Sequence, residues 1–348
     1  MKLPPYQSVG PFFVGLFLML TVTPARAAES YHRLKEIAVG GEGGWDYLSI
    51  DSANRRLYVT HATKVVVIDT LKDEVVGAVA DTPGVHGFVT VPGLGRGFTS
   101  NGKENKASIV DLKTYQTIAK VDTGDNPDAI LFEPGRSEVY TFNGRGQSAT
   151  VFEAATGKVV ATIAVGGKPE FAQADPAAGR VYLNVEDKNE VVAIDTATHQ
   201  MVSHWPIAPG EEATGMALDL VHHRLMLGCS NERVIIMDST NGRVVASIAA
   251  GKGIDAVEFD PASQLVFASA GGSGTVTIAH QDTPDNYRVV QTLVTERSAR
   301  TMTLDPTTHK IYLASAQFEA PAPVPTGGAR PRPKMIPGSF KVLVYGPN

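Results

Sequence analysis

Short apolar runs separated by turn residues fill the chain from about residue 30 onward, and they recur with a fixed phase. Ile50-Asp51, Phe132-Glu133, Ala174-Asp175, Leu218-Asp219, Phe259-Asp260 and Leu304-Asp305 each end a run in an acid, at spacings of 82, 42, 44, 41 and 45 residues. The first interval is two periods of 41, and its missing member falls at Val91-Pro92. A second marker, Ile68-Asp69, Val110-Asp111, Phe152-Glu153, Ile194-Asp195 and Met237-Asp238, repeats at 42, 42, 42 and 43. Seven residues after each first marker stands an aromatic residue or methionine: Tyr58, Phe98, Tyr140, Tyr182, Met226, Phe267 and Tyr312. Within a copy, four short runs rich in Val, Ile and Tyr alternate with Gly, Pro, Asn and Asp, as at Arg180 to Asn184, Glu190 to Ile194 and Gln200 to His204, the signature of strands joined by tight turns.

One four-stranded sheet cannot cover both of its own faces, so the copies must stack on one another. Seven units of about 42 residues predict an all-β fold, a seven-bladed β-propeller of four-stranded antiparallel blades. The seventh copy has its third run at Phe340 to Tyr345 and no fourth, whereas Tyr31 to Val39 reads as a fourth strand without a blade. The N-terminal strand is therefore expected to close the ring and pair edges that would otherwise be bare.

Ahead of the repeat, Lys2 precedes an apolar run from Pro11 to Val22 that ends at Ala25-Arg26-Ala27, the pattern of an export signal. The run is shorter than the roughly 20 residues that a bilayer span requires. Residues 1–27 are read as a cleaved signal peptide and 28–348 as one domain with no membrane span, monomeric and periplasmic or secreted. Cys229 is the only cysteine, which excludes an intramolecular disulfide. The formal net charge of −5 supplies no global field to draw the protein onto nucleic acid.

Leu57-Tyr58-Val59-Thr60, the strands Gly157 to Ile163 and Gly242 to Ile248, and the Asp-Pro turns resemble the YVTN-repeat β-propeller family, including YncE-type periplasmic proteins. The resemblance covers essentially all of the chain after the leader. It implies a propeller whose innermost strands line a central channel and whose ligands meet one mouth of that channel. It fixes no activity, because propellers host unrelated ones. DNA binding, implied by some YncE-type relatives, requires a basic groove with stacking aromatic residues.

With that orientation, the residues five before each first marker begin the innermost strands at the mouth: Asp46, His86, Asp128, Glu170, Thr214, Asp255 and Arg300. They are mostly acidic, which argues against nucleic acid. An Asp repeated at this position is also what a turn cap or an inter-blade bond needs, so Asp46, Asp128 and Asp255 have a structural reading; His86, Glu170 and Arg300 break the pattern. The second-strand ends supply His61, Asn101, Asn143, Val185, Cys229, Ala270 and Ser315, with Glu186 close by.

His61 and His86 stand on neighbouring blades at one end, and with Asp46, Asp128 or Glu170 they would suit a divalent metal ion, since imidazole and carboxylate together bind transition metals. The same residues also serve simply as polar groups closing a wet mouth. The expected function is an exported binding or scaffold protein that holds a small molecule, a cation or a loop of a periplasmic protein partner. The alternative is a periplasmic enzyme, a metal-assisted hydrolase, lyase or oxidoreductase, with His61, His86, Glu170 and Arg300 as candidate catalytic residues. No Gly-x-Ser-x-Gly or His-Glu-x-x-His pattern occurs. The Pro-rich insertion 319–337 carries Arg330, Arg332 and Lys334 and reads as either a solvated spacer or a lid. The extra residues Asp282 to Tyr287 fall on the opposite face with no role assigned.

Overall fold

The computed structural model describes residues 1–4, 30–320 and 333–348. The expected signal peptide, apart from its first four residues, and the middle of the Pro-rich insertion lie outside these. The described residues form seven four-stranded antiparallel sheets with no α-helix, only two short 3-10 turns at Pro92–Leu94 and Glu186–Lys188. No helix among them is long and apolar enough to cross a membrane. The innermost strands are Trp45–Asp51, Val85–Val91, Pro127–Glu133, Pro169–Asp175, Ala213–Asp219, Ile254–Asp260 and Met302–Asp305. Each touches the next, and the seventh meets the first. The expected propeller is the observed fold.

The middle strands of each blade are covered on both faces by neighbouring blades, so they read as continuous apolar runs and are buried nearly end to end, as in Lys64–Asp69 and Glu190–Asp195. The outermost strands face solvent and leave Val75, Val76, Val159 and Val160 exposed. The repeated aromatic residue is the wedge between blades: Tyr58 packs on Phe88 of the next blade with ring centroids 4.5 Å apart, and Phe98 on Phe152 at 5.9 Å. Fully burying such a ring contributes about 1.5–3 kcal/mol.

Both acid markers are turn caps. Asp69 Oδ1 accepts from the backbone N–H groups of Leu71 and Lys72 at 3.0 and 3.1 Å, and Glu133 does the same for Gly135 and Arg136. Four residues after each acid the chain adopts the left-handed conformation, as at Arg55, Ser137, His199, His223 and His309 or, with less strain, at Gly157 and Gly242. At this end of the ring the histidines reach back to the preceding blade: His309 Nδ1 lies 2.6 Å from Asp260 Oδ2 and His199 Nε2 2.9 Å from Glu138 Oε2.

The ring closes as expected. His32–Ala38 pairs antiparallel with Lys341–Gly346, from His32 opposite Gly346 to Ala38 opposite Lys341. Tyr31 anchors this strand edge-on to Phe267 at 5.0 Å and donates its hydroxyl to the His309 carbonyl at 2.7 Å. In blade six the extra residues lengthen the outer hairpin to Thr275–Thr283 and Asn286–Val294. There Gln281 donates to Asp219 Oδ2 at 3.0 Å, and Asp285 lies 2.7 Å from Arg224 Nη2, both in blade five. This hairpin therefore braces its neighbour, a role with no signature in the repeat.

Candidate functional site

At the mouth, the pairing between first and second strands skips. In blade one Trp45 pairs with His61, but the next pair is Leu48 with Val59, leaving Asp46 and Tyr47 outside the regular ladder. The same irregularity follows Val85, Pro127 and Pro169. A bulge of this kind re-aims side chains, and here it frees Asp46, His86, Asp128 and Glu170 to meet one another across blade boundaries.

They meet in an arc in which acids alternate with Arg300 and His86. Asp255 of blade six bonds the Arg300 guanidinium of blade seven. Arg300 Nη2 lies 3.7 Å from Asp46 Oδ1 of blade one and donates to the Trp45 carbonyl at 3.3 Å. His86 Nδ1 of blade two stands 2.7 Å from Asp46 Oδ2 and 3.5 Å from Asp128 Oδ1 of blade three. The next position is Glu170 of blade four, acid following acid. Glu170 Oε1 is 2.6 Å from Lys168 Nζ, which also bonds Glu186. Thr214 of blade five donates its hydroxyl to the Ile254 carbonyl at 3.1 Å and adds no charge.

The break in alternation shows in the proton affinities. Burial, and then Asp46, push the Asp128 carboxyl up to about 6. Burial and Asp128 push Glu170 up to about 8 against the pull of Lys168. Burial also raises Asp255, with Arg300 opposing it. Burial works against protonated His86, but its hydrogen bond to Asp46 and the charges of Asp128, Asp46 and Glu170 outweigh that and raise it.

Tyr47 was not singled out by its place in the repeat. Its ring crosses from blade one to Phe171 of blade four, with centroids 5.3 Å apart, so the two side chains span the channel. Burial, then Asp128, Glu170, Asp46 and Asp255, raise its phenol well above the ordinary range, so the hydroxyl stays protonated among carboxylates. Both residues stand four before their markers, a position filled elsewhere by Gly87, Ala129, Gly215, Ala256 and Thr301. Two large rings where the repeat uses small side chains are the signal that identifies them.

The structure does not bring His61 to His86. His61 is buried and stacks on Phe340 at 4.2 Å with rings 9° apart. Burial, then Lys64, lower its proton affinity. Asn101 donates to Glu104 and Ser108, both at 2.8 Å, and Asn143 to Ser148 and Thr150, both at 3.1 Å. These two staple their own blades rather than face the arc. Glu186 joins the mouth through Lys168. The feet of the insertion meet in a bridge between Phe318 and Met335, and Phe318 lies 6.1 Å from Trp45, one residue from Asp46. Whether the middle of the insertion is a lid lies outside the described residues.

Cys229 is buried in the core of blades four and five, and burial pushes its thiol up to about 12. A thiol held protonated is no nucleophile. Native protein should therefore resist Ellman's reagent, with one thiol titrating only on unfolding; rapid labelling of folded protein would contradict this placement.

Asp46, His86 and Asp128 each offer one ligand atom, and these atoms lie within 4.8 Å of one another, so the group could hold a metal ion. No family model matches the chain, and no curated protein matches it. Fold and site together define a seven-bladed β-propeller with a charged, predominantly acidic channel mouth.

Proposed function

We propose that this protein is an exported binding propeller of the YVTN-repeat kind that takes a small cation, or the cationic group of a larger ligand, into its channel mouth. The observation that carries the reading is the broken alternation: the acids Asp255, Asp46 and Asp128 alternate with the bases Arg300 and His86, and then Glu170 follows Asp128 without an intervening base. Lys168 is shared between Glu170 and Glu186, so it offsets Asp128 only from a distance and in part. Crowded carboxylates are relieved either by a proton or by a bound cation. A binding role needs no nucleophile, in keeping with the inert thiol of Cys229. Export rests on the Lys2 to Ala27 pattern.

The test is a thermal-shift and calorimetric screen of residues 28–348 against Zn2+, Mn2+, Ca2+, putrescine and spermidine, with glucose as neutral control. At least one cation should bind saturably and be weakened in Asp128→Asn. If no cation binds, or if Asp128→Asn binds each as wild type does, the mouth is only an inter-blade staple.

A further inference from the structure

The cation site just proposed admits two chemistries, a bare ion or an organic ammonium group, and the donor atoms separate them. We propose, building on that reading, that Asp46, His86 and Asp128 form a site for a first-row divalent transition metal, ligated by one oxygen of each aspartate and by Nδ1 of His86.

The three donors come from the innermost strands of three successive blades, so their spacing is fixed by the packed ring rather than by a mobile loop. His86 Nδ1 is 2.7 Å from Asp46 Oδ2 and 3.5 Å from Asp128 Oδ1. Metal bonds to imidazole and carboxylate are about 2.0–2.2 Å long, which places two ligands of one ion roughly 3 Å apart, so the donors already stand near coordination spacing. Asp46 is divided between two tasks: Oδ1 faces Arg300, and Oδ2 is left for the ion. Gly102 makes room for the ring, since a Cβ there would stand 2.8 Å from His86 Nε2.

The imidazole decides the ligand class. Calcium and magnesium are satisfied by oxygen donors alone, whereas one imidazole with carboxylates suits zinc, manganese or iron. An ammonium group needs only acceptors, which the carboxylates supply without any imidazole. A simple inter-blade staple, for its part, needs only one acid per histidine; here two acids flank the same nitrogen, and a third, Glu170, adjoins them. A dication seated beside Asp128 supplies the charge that the alternation lacks at that point.

The experiment uses untagged residues 28–348 stripped with EDTA, titrated with Mn2+ by electron paramagnetic resonance and with Zn2+ by calorimetry. One equivalent should bind per chain, millimolar Ca2+ should not displace it, and His86→Gln and Asp128→Asn should each weaken it by more than about tenfold, since loss of even an outer-sphere partner has that effect. Circular dichroism checks that each variant is folded, and Asp128→Asn, which keeps its shape, carries the test if His86→Gln is not. Spermidine binding without Zn2+ or Mn2+ binding overturns the metal site and leaves the cation reading standing. Metal binding that is unchanged in folded Asp128→Asn also overturns it, as adventitious. Binding of no cation at all overturns both.

Discussion

Replacing Glu170 by glutamine is expected to stabilise the protein near pH 8 and to flatten the alkaline side of its stability profile. Folding raises the Glu170 carboxyl to about 8, by burial and then by Asp128, whereas in an unfolded chain it titrates at about 4.3. Between those values the native state keeps a proton that the unfolded state has released. Stability therefore falls as pH rises through this window; below it both states are protonated and the effect vanishes. Each pH unit is worth at most about 1.4 kcal/mol per proton, so the whole window amounts to a few kcal/mol. Glutamine mimics the protonated form and releases nothing, while Lys168 keeps Glu186 as its partner. Melting temperatures from about pH 5 to about pH 9, taken in EDTA so that no cation stands in for the proton, should decline more steeply for wild type than for the variant, which keeps only the smaller slope from Asp128 and His86. Parallel curves would mean that Glu170 is not held against its ordinary ionisation.

Removing the closing strand is the second change with a large expected effect. A chain beginning at residue 40 loses the pairing of His32–Ala38 with Lys341–Gly346, the buried side chains of Tyr31 and Ile37, and the hydroxyl bond to the His309 carbonyl. Blade seven is then left with three strands and a bare edge, a template for pairing with another chain. Tyr31→Ala alone should cost about 3–5 kcal/mol, the usual penalty for truncating a buried aromatic residue. The shortened chain should elute as dimers or aggregates in size-exclusion chromatography and unfold at lower urea concentration. A monomer with an unchanged midpoint would show that the ring does not depend on this closure.

The fold could be read from the chain because the same physical demand is met seven times over. The turns between strands must be capped, so acids fall where Asp69 and Glu133 do, with Val91-Pro92 an exception; the blades must wedge one another, so an aromatic residue, or Met226, falls where Tyr58 and Phe98 do. The closing strand was legible for the converse reason, as a run without a blade beside a blade without a run. The mouth was half legible. The repeat places Asp46, His86, Asp128, Glu170, Asp255 and Arg300 at one level, and the structure joins Asp255, Arg300, Asp46, His86 and Asp128 into one arc, with Glu170 following it. His61 shares that end of the ring, but direction is not set by level: its ring turns into the packing against Phe340. Tyr47 and Phe171 were hidden because a repeat describes each blade and its neighbours, whereas their contact spans the middle of the ring.

That contact between Tyr47 and Phe171 lays a crossbar of two rings between blades one and four, one residue further along the innermost strands than Asp46 and Glu170. A ligand of the proposed kind would meet these rings next after the carboxylates, so an extended one would lodge its tip there and leave the remainder projecting outward. The far face carries a different set of contacts, the His309–Asp260 and His199–Glu138 pairs, which join blades at their turns rather than at the mouth.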